Sequence, residues 1–328
     1  MKLVQTLVVR DEEDIVGTQL EYHLNAGVDF VIASDHESRD GTTEILESYV
    51  RDGVLRRIAV RGEMHDGSWR TRMARLAATE HGADWVINTD ADEFWMPHAT
   101  TLKEVFDGVP MARGIVFALS RHFVPRPGDE RSFVERMTIR ASPAVAINDP
   151  TSPYRPHLKA AHRADAEITI SHGAHTAYSR RWRALHHWHP AEVLHFPFRS
   201  MAQWENKGVR RARGDSPLGQ YVTALLASER GRAGDRYAAL VVDDAVAARG
   251  CADGSLTIDL RLRDALRASR EGRDEMSAPS FYAGLLSDAT AARDADVVRL
   301  QRFLDGLNVR VGALAGGDRG IGDRLVDR

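Results

Sequence analysis

Trp85-Val86-Ile87-Asn88-Thr89-Asp90-Ala91-Asp92-Glu93-Phe94-Trp95 is the stretch whose reading decides the fold. Trp85 to Ile87 form a short apolar, β-branched run, the mark of the end of a buried strand. Three carboxylates follow at once, on Asp90, Asp92 and Glu93. In an open parallel sheet, ligands bind outside the carboxyl ends of the strands, where this cluster falls. Carboxylates pressed together repel unless a cation or a donor compensates them. Mg²⁺ and Mn²⁺ prefer oxygen ligands and bridge to substrate phosphates. A solvated acidic turn is the competing reading of an isolated Asp-x-Asp, so the rest of the chain decides between the two.

Upstream, strand and helix patterns alternate. Residues 3–9 are nearly continuous apolar sequence broken by Gln5 and Thr6, as in a strand buried on both faces. Ile15, Val16, Leu20, Tyr22 and Leu24 give a helical apolar face that stops near Gly27. A second strand is expected at 29–33, a helix at 43–50, a third strand at 54–60 and a helix at 67–81. This alternation predicts a parallel α/β sheet over the first hundred or so residues. Downstream, strands are expected at 114–119 and 132–139, and helices at 201–213, 218–229, 237–249, 260–270 and 291–307. The domain reading is a catalytic unit over 1–200 and a helical region over 201–328, with a mobile tail from about 312.

Composition narrows the function. The 328 residues are 43% hydrophobic and 28% charged, as in a soluble globular protein. A formal net charge of −3 gives no electrostatic case for nucleic acid. Lysine occurs only at positions 2, 103, 159 and 207, so arginine supplies most of the positive charge. Cys251 is the single cysteine, which excludes an internal disulfide framework and a cysteine zinc cluster. No stretch approaches the ~20 apolar residues of a membrane span, and the opening lacks a secretory apolar core, so the expected location is the cytoplasm.

Three segments carry a family resemblance. Val9-Arg10-Asp11-Glu12-Glu13, followed by Glu21-Tyr22-His23-Leu24 and Gly27-Val28, resembles the opening of family 2 glycosyltransferase-like proteins. Asp35-His36-Glu37-Ser38-Arg39-Asp40-Gly41-Thr42 is similar to their second-strand loop, and Asp84 to Phe94 to their Asp-x-Asp-Glu-Phe strand. The resemblance implies a GT-A fold: Rossmann-like, with a mostly parallel sheet flanked by helices. It also implies a nucleoside-diphosphate sugar donor and a divalent cation, Mn²⁺ or Mg²⁺. On this reading Arg10 and Glu12 line the base pocket, Asp35 binds the uracil or ribose end, Asp90 and Ala91 meet the ribose side, and Asp92 holds the cation. Many members carry asparagine where Asp11 stands. For Asp35 the alternative is a residue that merely opens its loop.

Further candidates come from the residues themselves. Arg70 and Arg72 precede the acidic strand, where an arginine suits a diphosphate, with a solvated helix face as the alternative; Arg72 is the donor-site candidate. Lys159 is weighed against phosphate and read as solvated. Eight of the fourteen histidines lie between His157 and His195. They fit a separate zinc site, scattered loop positions, or one ligand of the donor cation. Leu194-His195-Phe196-Pro197-Phe198-Arg199-Ser200 resembles a histidine-bearing segment after the sheet of the same families, which makes His195 the candidate ligand. An inverting transfer needs a base for the acceptor hydroxyl, and Glu135 and Asp149 are the candidates. The acceptor class is a glycan, a natural product or another small molecule. A catalytically silent GT-A-like binding module and a nucleotidyltransferase are the rival functions.

Overall fold

The computed structural model describes residues 1–62, 66–98, 101–128, 131–148, 152, 154–186, 188–205 and 233–271. Asp149, the helices expected at 218–229 and 291–307, most of that at 201–213 and the tail from 312 lie outside those residues.

Four strands and three helices alternate along the first ninety residues: β1 (Leu3–Val9), α1 (Val16–Asn25), β2 (Phe30–His36), α2 (Thr42–Arg51), β3 (Leu55–Val60), α3 (Asp66–Thr79) and β4 (Trp85–Asp90). The four strands are mutually parallel in the order β3-β2-β1-β4. Side chains alternate across a strand, and the alternation sorts β1 between two cores. Leu3, Leu7 and Val9 pack with Val16 and Leu20 of α1 and Leu46 of α2. Val4 packs with Ile32, Val86, and Met73 and Ala77 of α3. The parallel sheet is therefore covered on both faces, which is why its strands read as apolar runs. The polar residues inside them bond across the strands: Gln5 Nε2 donates to Thr89 Oγ1 at 2.8 Å, Thr6 Oγ1 to Asn88 Oδ1 at 2.8 Å, and Asn88 Nδ2 to the Ala160 carbonyl at 3.0 Å.

Beyond β4 come β5 (Glu93–Pro97), α4 (Leu102–Asp107), β6 (Arg113–His122), α5 (Phe133–Arg136), β7 (Ile139–Ala141), α6 (Pro143–Asn148) and β8 (Leu158–Arg163). The short strands β9 (Thr169–Ile170), β10 (Ala177–Tyr178) and β11 (Arg183–Ala184) lead to β12 (Ala191–His195). The sheet continues from β4 through β8, β6 and β12 to β5, with β11 also beside β6. Only Ala91 and Asp92 separate β4 from β5 in the chain, yet three strands lie between them in the sheet. Laid flat, those four spacings would span ~19 Å, whereas the connection reaches ~11 Å. The sheet must therefore curl, bringing its far edge back beside the end of β4. The fold is α/β, a curled and mostly parallel sheet with helices on both faces.

Two local expectations change. Residues 133–136 form a helical turn, not a strand, because Phe133 and Met137 bury together at helical spacing and Phe133 packs on Phe94 and Phe196. The helix expected at 237–249 is two, α7 (Ala233–Leu240) and α8 (Asp244–Asp253). Asp243 separates them by accepting from the Val246 backbone N–H at 2.7 Å, an N-cap. β13 (Leu256–Ile258) then pairs with β7, and α9 (Arg261–Arg270) buries Leu262 and Leu266 in the core that holds α1.

Candidate functional site

Strand direction gathers the charged residues at one edge. Asp35, Asp90, His122 and His195 lie at or next to the carboxyl ends of the parallel strands β2, β4, β6 and β12. Lys159 and Glu93 come from the beginnings of β8 and β5, which run the other way and so start at that edge. In register, Asp35 is level with Val9, Asp90 with Val8, and His195 with both His122 and Glu93.

At the centre is a network of ion pairs. Lys159 is 3% exposed; its ammonium donates at 2.7 Å to Asp90 Oδ2 and to the Gly173 carbonyl, and lies 2.7 Å from Glu93 Oε1 in an ion pair. Its charge is therefore matched by two carboxylates and a carbonyl dipole. Lys159 is thus an internal counter-ion, not the solvated side chain expected from sequence. Arg70, fully buried on α3, donates to Asp66 Oδ1 at 2.8 Å, to the Thr89 carbonyl at 3.1 Å, and to Asp90 Oδ1. Burial opposes ionisation of Asp90, but Arg70 and Lys159 prevail and hold its carboxyl below the usual range. For Lys159, burial favours the neutral amine, while Asp90 and Glu93 outweigh it and raise its pKa. Burial dominates at Glu93 and pushes its pKa up. Glu93 Oε2 also accepts from the Asp90 backbone N–H at 2.9 Å, which fixes the two-residue turn that presents Asp92.

Asp92 meets the far edge of the sheet. Its Oδ1 lies 3.4 Å from His195 Nε2 and its Oδ2 lies 3.9 Å from Arg199 Nη1. Asp92, Glu93 and His195 each offer one ligand atom, and those atoms lie within 4.8 Å of one another. Two carboxylates and one imidazole form a donor set that fits a Mn²⁺-type divalent cation. Among the described residues this is the only such group, so the described histidines of the 157–195 segment form no separate zinc cluster. Three of them, His157, His175 and His195, form a row with His122: ring centroids are 4.8 Å apart for His195 and His122, 5.7 Å for His122 and His157, and 5.2 Å for His157 and His175.

The loops after β1 and β2 close the other side. Asp11 and Glu37 sit at φ 50° and 51°, a conformation uncommon outside glycine. The loops brace each other: Asp11 N–H donates to Ser38 Oγ at 3.1 Å, and Arg39 N–H to Asp11 Oδ1 at 2.7 Å. Asp35 is 3% exposed and accepts from Ser38 N–H at 3.3 Å, Thr43 Oγ1 at 2.7 Å and Arg57 Nη1 at 3.2 Å. It therefore orders its loop, whatever else it binds. Arg10 Nη1 lies 3.4 Å from His36 Nδ1, and His36 meets Trp69 edge to face at 4.7 Å. Glu12 is buried against Arg199, which also grips Asp14 at 2.7 and 2.9 Å and so ties the β1 loop to the segment after β12.

Two expected site residues stand elsewhere. Arg72 is exposed and lines a groove with Thr71, Arg75 and Thr169, because two helical positions turn it away from Arg70. Glu135 pairs with Arg267 of α9. No described contact joins it to the acidic cluster. Ala91 is buried in the turn itself. Sequence reading missed Arg70 as the anchor of Asp90, and missed Lys159 and His122. A lysine and a histidine inside the apolar strands Leu158–Arg163 and Arg113–His122 were the available signals.

The family model described as glycosyltransferase family 92 matches residues 4–138. That span contains the three motif segments quoted above. No curated protein matches the chain. Among solved structures, S. aureus TarS in complex with UDP has a TM-score of 0.33 and 15% identity over 83% of this chain and 92% of that one. The TarS complex with UDP-GlcNAc has a TM-score of 0.33 and 14% identity over 83% and 93%. Glucosyl-3-phosphoglycerate synthase from Mycobacterium tuberculosis, in complex with Mn²⁺, UDP and phosphoglyceric acid, has a TM-score of 0.27 and 18% identity over 50% and 56%. No helix among the described residues is long and apolar enough to cross a membrane.

Proposed function

We propose that this chain is a GT-A-type glycosyltransferase, which moves a sugar from a nucleoside-diphosphate donor to an acceptor hydroxyl in the cytoplasm. The observation that carries the reading is the meeting of Asp92 and His195 beside Asp90, at the carboxyl edge of the parallel strands. The family 92 match over 4–138 and the family 2-like motifs within it support the same chemistry.

Asp92 and His195 would hold Mn²⁺ or Mg²⁺, with Glu93 beside them. The chemistry such a cation supplies is stabilisation of charge on the departing nucleoside diphosphate. Asp35, Arg10 and the braced loops after β1 and β2 would hold the nucleoside. Asp90, kept ionised and fixed by Arg70 and Lys159, would accept from the ribose side of the donor. Glu12 acts through Arg199 as part of the loop clamp. Transfer with inversion needs a base on the acceptor face. With Glu135 paired to Arg267, Asp149 is the base in this reading.

Thermal unfolding with a panel of nucleoside diphosphates, with and without Mn²⁺, tests it. A ligand at ~100 times its Kd adds about 2.7 kcal/mol, enough to raise Tm by several degrees. At least one diphosphate should do so only with Mn²⁺, and Asp92→Asn should abolish the effect. No Mn²⁺-dependent shift with any diphosphate would overturn the assignment. Transfer of sugar from the matching donor then separates an enzyme from a binding module.

A further inference from the structure

His122 ends β6 beside His195 of β12, and the two residues share a register position. His122 is 3% exposed, and its Nε2 lies 2.9 Å from the Arg155 carbonyl oxygen and 3.2 Å from Ser120 Oγ. A carbonyl oxygen only accepts, so Nε2 of His122 carries the proton. No carboxylate is among the hydrogen-bond partners of His122, and a neutral ring with its proton on Nε2 has a lone pair at Nδ1. That lone pair faces His195 Nδ1 at 2.9 Å. Two lone pairs cannot meet at this distance without repulsion, so His195 Nδ1 donates. The other nitrogen of His195, Nε2, is then the lone pair that faces Asp92 Oδ1 at 3.4 Å. A hydrogen bond from a protonated imidazole to a carboxylate would be ~2.7–2.9 Å. The longer separation suits two ligand atoms turned towards a shared cation.

We propose that His122 is a positioning residue: it fixes His195 in the Nδ1–H tautomer and so presents Nε2 as a ligand to the donor-site cation. The inference rests on the donor-cation reading above. It extends the site inward by one residue, since the partner of a ligating histidine sets both ring angle and tautomer. The chain Arg155 carbonyl, His122, His195 runs from the backbone beside β8 to the acidic turn.

Ring nitrogens of ¹⁵N-histidine-labelled, metal-free protein report the tautomer directly by NMR. In the wild type, His195 should carry its proton on Nδ1 with Nε2 bare. His122→Asn places an acceptor oxygen where Nδ1 stood and should keep that tautomer, while His122→Phe should lose it. Mn²⁺ binding in the presence of a nucleoside diphosphate should weaken by about 10–100-fold in His122→Phe and less in His122→Asn. A wild-type spectrum with the proton on Nε2 overturns the inference without needing any variant. Unchanged tautomer and Mn²⁺ affinity in His122→Phe do so as well. Wild-type protein that binds no Mn²⁺ with any diphosphate instead removes the donor-cation reading, and with it the ligand role assigned to His195.

Discussion

Replacing Lys159 with methionine keeps most of the length of the side chain and removes the charge that sits between Asp90 and Glu93. Lys159 is 3% exposed and Glu93 2%, so this is a buried pair stripped of one partner. Such losses cost about 3–5 kcal/mol. The Asp90 side chain is 34% exposed, keeps Arg70, and gains water in place of the ammonium. The penalty therefore falls mainly on Glu93 and the Gly173 carbonyl, which points to the lower end, about 3 kcal/mol. Against a total stability of about 5–15 kcal/mol the loss is large. Its pH dependence has a definite sign. Burial already raises the Glu93 pKa above its ordinary 4.5, and loss of Lys159 raises it further. A group raised on folding contributes stability fully present below its unfolded pKa and lost as pH rises through the folded one. The mutant's penalty should therefore shrink as pH falls towards the carboxylate range. Lys159 itself, raised above 10.5, stabilises the wild type fully below that pH and ceases to as pH climbs through its folded value. Urea unfolding at ~pH 7 and ~pH 5, with a common slope, measures both effects. A difference under about 1 kcal/mol at ~pH 7, or a penalty that grows at ~pH 5, would refute the account of Lys159 as internal counter-ion.

The remaining predictions concern single side chains. Asp92→Asn should remove Mn²⁺-dependent nucleotide binding while changing the metal-free unfolding midpoint little; retained Mn²⁺ dependence would displace Asp92 as a ligand. Asp35→Ala should weaken nucleoside diphosphate binding in calorimetry more than it slows transfer, and unchanged affinity would leave Asp35 with its loop-ordering bonds to Ser38 and Thr43 only. Arg72→Ala should leave nucleotide affinity unchanged, because the side chain lines the outer groove of α3; a tenfold loss would return it to the donor site. Glu135→Gln should leave turnover intact and cost no more than about 1 kcal/mol, the range of an exposed ion pair.

Much of the fold was open to pattern reading because its first half is local. Each strand from β1 to β4 is a short, largely apolar or β-branched segment, and each helix between them shows its own periodic face, so the boundaries from sequence and structure differ by few residues. The second half is not local. β5 leaves β4 after two residues and pairs with β12, a hundred positions further on, and no window of sequence contains that pairing. At 132–139 the alternation that suggested a strand came from Phe133 and Met137, which face one core from a helical turn because Phe94 and Phe196 wait there.

The site shows the same division, with a physical reason behind it. Asp90, Asp92 and Glu93 were legible because adjacent carboxylates are visible in the chain, and their mutual repulsion demands compensation. What the sequence does not display is where the compensation comes from. Two of the cations lie inside the chain: Arg70 reaches Asp90 from α3, and Lys159 reaches Asp90 and Glu93 from β8. That arrangement gives the three carboxylates different characters. Asp90 and Glu93 are held by fixed protein cations and a backbone amide, which makes them walls of the site. Asp92, carried on the turn they stabilise, is set against an imidazole whose orientation depends on a second imidazole behind it. Reading three acidic residues as three equivalent metal ligands would therefore misplace the charge. On the proposed reading, the position of Lys159, one residue in a later strand, leaves Asp92 as the carboxylate where a mobile cation would add most.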